Sequence, residues 1–323
     1  MLSFVAQRVV KAVIVLLAIV VLNFFLIRMA PGDPAVVMAG EAGAGDQIFI
    51  SQLREKFGLD QPLPVQLFKY VRGIVSLDLG FSFRQQMPVS KLILDRLPAT
   101  LLLTGTAFVI SLALGILFGT LAARFAGTWA DSAITVLALI FYATPLFWVA
   151  LMAILLFSVT MDWLPSFGYE TVGANYTGLA HVLDVAAHLI MPATTIGLFF
   201  MATYARMTRA SMLEVKRLDF VKTARAKGLR DSVIQRRHVL RNALLPVVTL
   251  AGLQAGTLVG GAVLTETVFA WPGIGRLMYE SLLQRDYNLL LGVFVVCSAM
   301  VLAFNLVTDL VYRSVDPRIE YAT

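Results

Sequence analysis

Charge, cysteine and histidine are all scarce in this chain. Charged residues fill 14% of its 323 positions and hydrophobic ones 59%, and the mean hydropathy is +0.80. A soluble domain is about one quarter charged, so these proportions place the chain in a membrane. The one cysteine, Cys297, falls inside an apolar run and can form no internal disulfide. The three histidines, His181, His188 and His238, form no His-Glu-x-x-His helix. There is also no Gly-x-Ser-x-Gly elbow and no carboxylate pair within an apolar run, which removes the chemistry of an intramembrane enzyme. No Gly-x-x-x-x-Gly-Lys-Ser/Thr loop is present to cradle nucleotide phosphates. No catalytic, cofactor-binding or metal-binding residue is therefore expected. The net charge of +6 comes without a basic and aromatic module and gives no case for nucleic acid.

What the chain has in abundance is long apolar runs. About six can span a bilayer: Val9 to Met29, Leu97 to Ala122, Ile134 to Val159, Leu189 to Ala205, Ala243 to Leu264 and Leu289 to Val311. The fourth is the shortest. The first reads as a retained anchor, because it is longer than a signal-peptide core and Arg28-Met-Ala-Pro-Gly-Asp offers no small-x-small cleavage site. Arg8, Lys11, Arg124, Arg313, Arg318 and a basic island from Arg206 to Arg241 fall on one side of these runs, whereas the stretch 160–187 carries no Lys or Arg. That asymmetry makes the basic side cytoplasmic and puts both termini inside. Pro145, in Tyr142-Ala-Thr-Pro-Leu-Phe-Trp148, and Pro192 are expected to kink the third and fourth spans. Trp129 and Trp163 fall at membrane boundaries, where indoles anchor.

The chain divides into an anchor (1–29), an extracytoplasmic helical segment (30–97), a core (98–313) holding a loop at 206–242, and a cytoplasmic tail (314–323). Within the outer segment, Gln47 to Phe57 reads as a polar helix, Gly58 to Pro64 as a break and Pro64 to Leu77 as a second helix. Pro88 is expected to open a third, amphipathic helix through Arg96 along the membrane surface. The segment either receives a partner or braces the first span.

The fifth span carries the clearest internal pattern. Gly252, Gly256 and Gly260 recur every fourth residue and flatten one face for helix packing. Roughly opposite lie Gln254, Thr257, Gly261 and Thr265, a polar and small stripe suited to lining a solvated path or to bonding within the bundle. Ion-coupled carriers place carboxylates or histidines at mid-membrane, and no such relay crosses these spans.

The island is longer than a connection needs, with about 35 residues between the runs ending near Ala205 and starting near Ala243. Within it, Asp219-Phe-Val-Lys-Thr-Ala-Arg-Ala-Lys-Gly-Leu229 predicts a short helix. Asp219 is its N-cap, Phe220, Val221 and Ala224 lie on one face, Lys222 and Arg225 lie beside it, and Gly228 ends it. A helix of about ten residues is about 15 Å long, enough to enter a cleft and too short to cross a bilayer. Basic loops also arise simply to set topology, but topology alone does not call for a helix, a glycine and the downstream His238-Val-Leu-Arg-Asn-Ala-Leu-Leu-Pro246 together.

This stretch resembles the cytoplasmic coupling loop of permease subunits of binding-protein-dependent ABC importers, in particular the dipeptide and oligopeptide class and its glutathione-type relatives. Ala224 and Gly228 match that loop. Lys222 and Thr223 stand where its usual glutamate and first alanine are, and Arg241 stands where many members have proline. Met29-Ala-Pro-Gly-Asp-Pro34, Phe57-Gly-Leu-Asp-Gln-Pro-Leu-Pro64, Leu79-Gly-Phe-Ser, Leu97-Pro-Ala-Thr-Leu and Trp271-Pro-Gly-Ile-Gly-Arg276 extend the likeness over nearly the whole chain. The resemblance implies an all-α integral membrane protein of about six helices with the type I importer permease fold, a cytoplasmic coupling helix and an extracytoplasmic insertion after the first span. It implies a bacterial inner-membrane location, a sister permease, two ATPase subunits that bind ATP and Mg, and a periplasmic or lipid-anchored substrate-binding protein. ATPase coupling would involve Asp219, Phe220, Lys222, Thr223, Ala224, Arg225, Lys227, Gly228 and His238. Cargo would be dipeptides or longer peptides, with glutathione, nickel chelates or oligosaccharides as alternatives. A self-contained channel or secondary carrier is the reading from another class.

Overall fold

The structure, a computed structural model, describes residues 2–29, 36, 47–56, 60–82 and 84–315. The strings Ala30 to Pro34 and Phe57 to Leu59, and the tail from Asp316 with Arg318, lie outside the described residues. Among the described residues, five helices are long and apolar enough to cross a membrane, and a bent pair makes six if it counts as one span.

Helix α1 (Leu2–Met29) is the first apolar run; α2 (Gln47–Lys56) and α3 (Leu63–Val75) follow. A two-residue antiparallel ladder, β1 (Phe81–Ser82) with β2 (Met87–Pro88), leads into α4 (Val89–Arg124). Here the structure corrects the sequence reading: Pro88 closes a strand, and α4 runs through Pro98 as one 36-residue helix without a separate surface helix. The reason is packing. Val89, Leu92 and Ile93 are buried against Ile274, Leu277, Leu289 and Val293, so the apolar face lies on protein.

The third span is broken outright. Helix α5 (Trp129–Ala143) and α6 (Leu146–Ala153), the latter continued by the π-helix Ile154–Thr160, meet at 102°. Pro145 excludes its predecessor from helical backbone, and Thr144 is extended at φ −81°, ψ 135°. Pro192, in contrast, lies inside the unbroken helix α7 (Leu179–Val215). At 37 residues α7 far outruns the apolar stretch that announced it. Then come α8 (Asp219–Ala226), a single turn Asp231–Val233, the π-helix Ile234–Leu240, α9 (Arg241–Val268), α10 (Ile274–Leu283) and α11 (Tyr287–Val315).

Contacts gather the chain into two compact units, 1–98 with 273–302 and 99–272 with 303–323. In the first, Val20 and Phe24 of α1 are buried and Phe24 meets the Tyr70 ring of α3 at 5.8 Å. Burial raises the Tyr70 phenol well above its ordinary pKa. Asp286 caps α11 by accepting the Leu289 N–H at 3.1 Å, and its other oxygen accepts the Ser82 hydroxyl at 2.5 Å.

In the second unit α7 is the central helix, packing along α5, α6 and α9. Gly115 and Gly119 of α4 let it approach so closely that a Cβ at Gly119 would stand 2.5 Å from the Ala205 carbonyl oxygen. The ends of α7 are tied by polar groups. Asp184 accepts the Thr171 N–H and hydroxyl, both at 2.7 Å, and Arg209 grips Asp131 of α5 with two bonds of 2.7 Å. These ties explain the length of α7, since each holds polar helix ends that apolar content alone would leave frayed.

Candidate docking surface and membrane path

Helices invade the basic island from both sides, so Arg206 and Arg209 belong to α7 and what remains is built around α8. Leu218, with no side-chain bond, occupies the cap position, and Asp219 is the first helical residue, not the cap. Its carboxylate accepts Lys222 Nζ at 2.8 Å, and both side chains are largely exposed. Asp219 still opposes the positive end of the helix dipole, and the backbone carbonyl of Asp219 accepts the Thr223 hydroxyl at 3.0 Å.

The C-terminus closes through Gly228 at φ +76°. Its N–H donates to the Arg225 carbonyl at 2.9 Å and the Leu229 N–H to the Ala224 carbonyl at 3.3 Å, the paired bonds of a Schellman motif. Arg225 reaches Asp231 at 3.8 Å, both exposed.

Val221 and Ala224 face inward, 0% and 5% exposed, on Ala123, Met212, Ile234, Val239 and Ala243. Phe220 does not share that face. It is 40% exposed, and Leu218, Leu229 and Val233 are similarly open. The positions beneath α8 are taken by Val221 and Ala224, packed on Ala123, Met212, Ile234, Val239 and Ala243. The outward surface therefore combines Phe220 with Lys222, Thr223, Arg225 and Lys227, all exposed. His238 is half-buried on the π-helix, and its carbonyl accepts the Asn242 amide at 2.7 Å. Lys216, beneath, donates to the Ala123 carbonyl in the last turn of α4, and burial lowers its ammonium pKa.

On α9 the structure places Gly252 against α11. Its carbonyl accepts the Thr308 hydroxyl at 2.9 Å, and an added Cβ would stand 2.1 Å from Thr308 Cγ2. Gly256 is buried and Gln254 half-buried, while Thr265 is buried at the end of the helix. Thr257, Gly260 and Gly261 lie in a helical stretch whose side chains are outside the described residues. A cavity of about 420 Å³ opens beside Gly252, lined by Thr104, Gly105, Phe108, Val248, Phe304 and Thr308 among others, so it lies on the glycine side of α9.

Three polar features escaped the sequence reading. Asp131, 5% exposed, also accepts the Gly127 N–H at 3.0 Å and locks the α4–α5 turn to α7. Glu266 is fully buried, two residues past the apolar run, and accepts the Thr100 hydroxyl at 2.8 Å. Trp271 is fully buried. Its indole N–H donates to the Ala99 carbonyl at 2.9 Å, its backbone N–H to the Glu266 carbonyl at 2.8 Å, and its ring meets Tyr169 at 4.9 Å. Glu266 and Trp271 are five residues apart in sequence, but their partners Thr100 and Ala99 are more than 160 residues away.

Comparison with known proteins converges on one family. The profile described as binding-protein-dependent transport system inner membrane component matches residues 115–321, and the N-terminal profile for such membrane components matches residues 1–104. The oligopeptide transport system permease protein AppB of Bacillus subtilis (strain 168) is 38% identical over 99% of this chain and 100% of that protein. The dipeptide transport system permease protein DppB of Escherichia coli (strain K12) is 39% identical over 99% of each. Among solved structures, the MetNI methionine ABC transporter in an inward-facing conformation superposes with a TM-score of 0.55 at 21% identity, over 70% of this chain and 96% of that one, which establishes the fold. This helical chain, with its apolar spans and the short basic helix between α7 and α9, belongs to the family of binding-protein-dependent transport system inner membrane components.

Proposed function

We propose that the chain is the membrane-spanning permease subunit of an ATP-driven importer that passes peptides from an extracytoplasmic binding protein into the cytoplasm. The observation that carries this reading is α8: an eight-residue helix held from below by Val221 and Ala224, which presents Phe220 within a basic, exposed surface. An apolar anchor ringed by cations fits a groove with an apolar floor and acidic rim, and the groove belongs to an ATPase subunit. ATP and Mg are bound there, and this chain performs no chemistry.

Two ATPase subunits closing on nucleotide would press on α8 and rock the spans between inward-open and outward-open states. A sister permease completes the passage, with Gln254, Thr257, Gly261 and Thr265 as its candidate lining on this side. Both termini are cytoplasmic, in keeping with the basic residues gathered at that face. Peptide cargo is inferred from the named relatives, AppB and DppB.

The test is reconstitution. The chain with sister permease, ATPase subunits and binding protein in proteoliposomes should accumulate labelled di- or oligopeptide only with ATP. Uphill accumulation by the chain alone would overturn the reading, and failure of a cysteine at Gln254 to cross-link to cargo in any state would remove the path assignment.

A further inference from the structure

The join between α8 and α9 is not wound as an α-helix. The turn Asp231–Val233 passes into seven π-helical residues, Ile234–Leu240, which continue unbroken into α9 at Arg241. A π-helix bonds i to i+5 and so carries surplus chain compared with an α-helix of the same length; such segments persist only where their surroundings hold them.

The surroundings here are identifiable. Ile234 and Val239, 1% and 0% exposed, both belong to the buried cluster that holds Val221 and Ala224 of α8. Residues five apart diverge by about 140° on an α-helix, at 3.6 residues per turn, and cannot both face one neighbour. On a π-helix, whose bonds join i to i+5, they share a face. The part of the α8 seat that Ile234 and Val239 supply together therefore depends on the π winding. At the far end the Asn242 side chain donates to the His238 carbonyl at 2.7 Å, serving an acceptor at the π-to-α junction. Against this, Gln235 Oε1 is buried with no hydrogen-bond partner among the described residues, which disfavours the present state.

We infer that Ile234–Leu240 is a register switch through which displacement of α8 reaches α9. This deepens the proposed function and rests on α8 being the ATPase-docking helix. When α8 moves, Ile234 and Val239 lose their common seat and the segment rewinds from i→i+5 to i→i+4 bonds. The surplus residue leaves the segment, and α9 advances relative to α8 by about 1.5 Å of rise and about 100° of turn.

The experiment uses the whole importer in proteoliposomes. Deleting the exposed Arg236 removes the surplus residue and locks the α register. The ATPase subunits should still co-purify and hydrolyse ATP while peptide uptake per ATP is lost. Asn242→Leu, of similar size, removes only the junction bond and should lower uptake per ATP about fivefold, the worth of one hydrogen bond. Spin labels on cysteines replacing the exposed Ala226 and Leu245, with Cys297→Ser, should shift apart by several ångströms between nucleotide-free and ATP-trapped states. A distance unchanged between these states in an intact, hydrolysing complex overturns the switch alone, as does unchanged uptake per ATP in Asn242→Leu. Failure of the wild-type chain to hold the ATPase subunits overturns the docking reading beneath it.

Discussion

Substitution of Gly228 separates a backbone cost from every packing cost. The residue sits at φ +76°, and a Cβ built on it meets nothing within 4 Å, so Gly228→Ala introduces no clash. What remains is the left-handed penalty of an L side chain, about 1–2 kcal/mol. It falls on the two bonds that close α8, from Gly228 N–H to Arg225 and from Leu229 N–H to Ala224. If the closed cap is the docking-competent state, the penalty returns as weaker docking, up to about 5- to 30-fold for Ala. Asn tolerates left-handed backbone and should cost less, and β-branched Val should cost more. The assay is titration of purified ATPase subunits onto nanodisc-embedded permease, with uptake measured in parallel. Affinity should fall in the order Gly, Asn, Ala, Val, and Gly228→Asp should also cut uptake while leaving membrane insertion intact. Equal affinity and uptake for Gly, Ala and Val would refute the reasoning, because it would show that the closure of α8 does not bear on docking.

Other sites give independent tests. Asp131→Asn leaves Arg209 facing a neutral partner. The side chain of Arg209 is 35% exposed, which puts the cost at or below the lower end of about 3–5 kcal/mol, and a lowered melting temperature of the purified subunit should report it. Adding Arg209→Met should recover part of that loss. Gly252→Ala forces a Cβ onto Thr308 Cγ2, 2.1 Å away, and should destabilise by about 1–3 kcal/mol; Thr308→Ala in the same chain should relieve it, as a double-mutant cycle in thermal unfolding will measure. Trp271→Phe keeps the ring against Tyr169 but removes the bond to Ala99, costing about 0.5–1.5 kcal/mol and raising hydrogen exchange in the first turns after Ala99.

Where the sequence could be read, local chemistry was enough. Apolar runs located the five long spanning helices and the bent pair, Pro145 marked the break in that pair, and Gly228 marked the end of α8. What escaped depends on partners distant in the chain. Helix α7 outruns its apolar stretch because Arg209 finds Asp131 78 residues away and Asp184 finds Thr171 13 residues away, and no periodicity encodes either pairing. A surface helix ending at Arg96 and a span starting at Leu97 were expected, yet α4 runs through both and through Pro98, with residues before and after it packed in buried clusters. Phe220 seemed to share a face with Val221 and Ala224. In the fold only Val221 and Ala224 reach the cluster beneath α8, and which neighbours a helix meets is a tertiary matter. Glu266 was invisible for a similar reason, since its partner Thr100 lies on another helix.

The kind of contact at each joint decides where a load on α8 is taken up. Asp131 and Arg209 meet through two short charge-assisted bonds, which hold one geometry and lose most of their value when displaced. Beneath α8 the contacts are of another kind: Val221 and Ala224 lie on Ile234 and Val239 through apolar surface, which is non-directional and retains its value as surfaces slide. The exposed Arg225–Asp231 pair, at 3.8 Å, adds little resistance. A push on α8 is therefore absorbed first at the π-helical join, while the clamp between α5 and α7 stays closed. Spin labels spanning the join should move in the trapped state before any pair spanning the Asp131–Arg209 clamp does, and the opposite order would mean that the stiff joint, not the sliding one, carries the stroke.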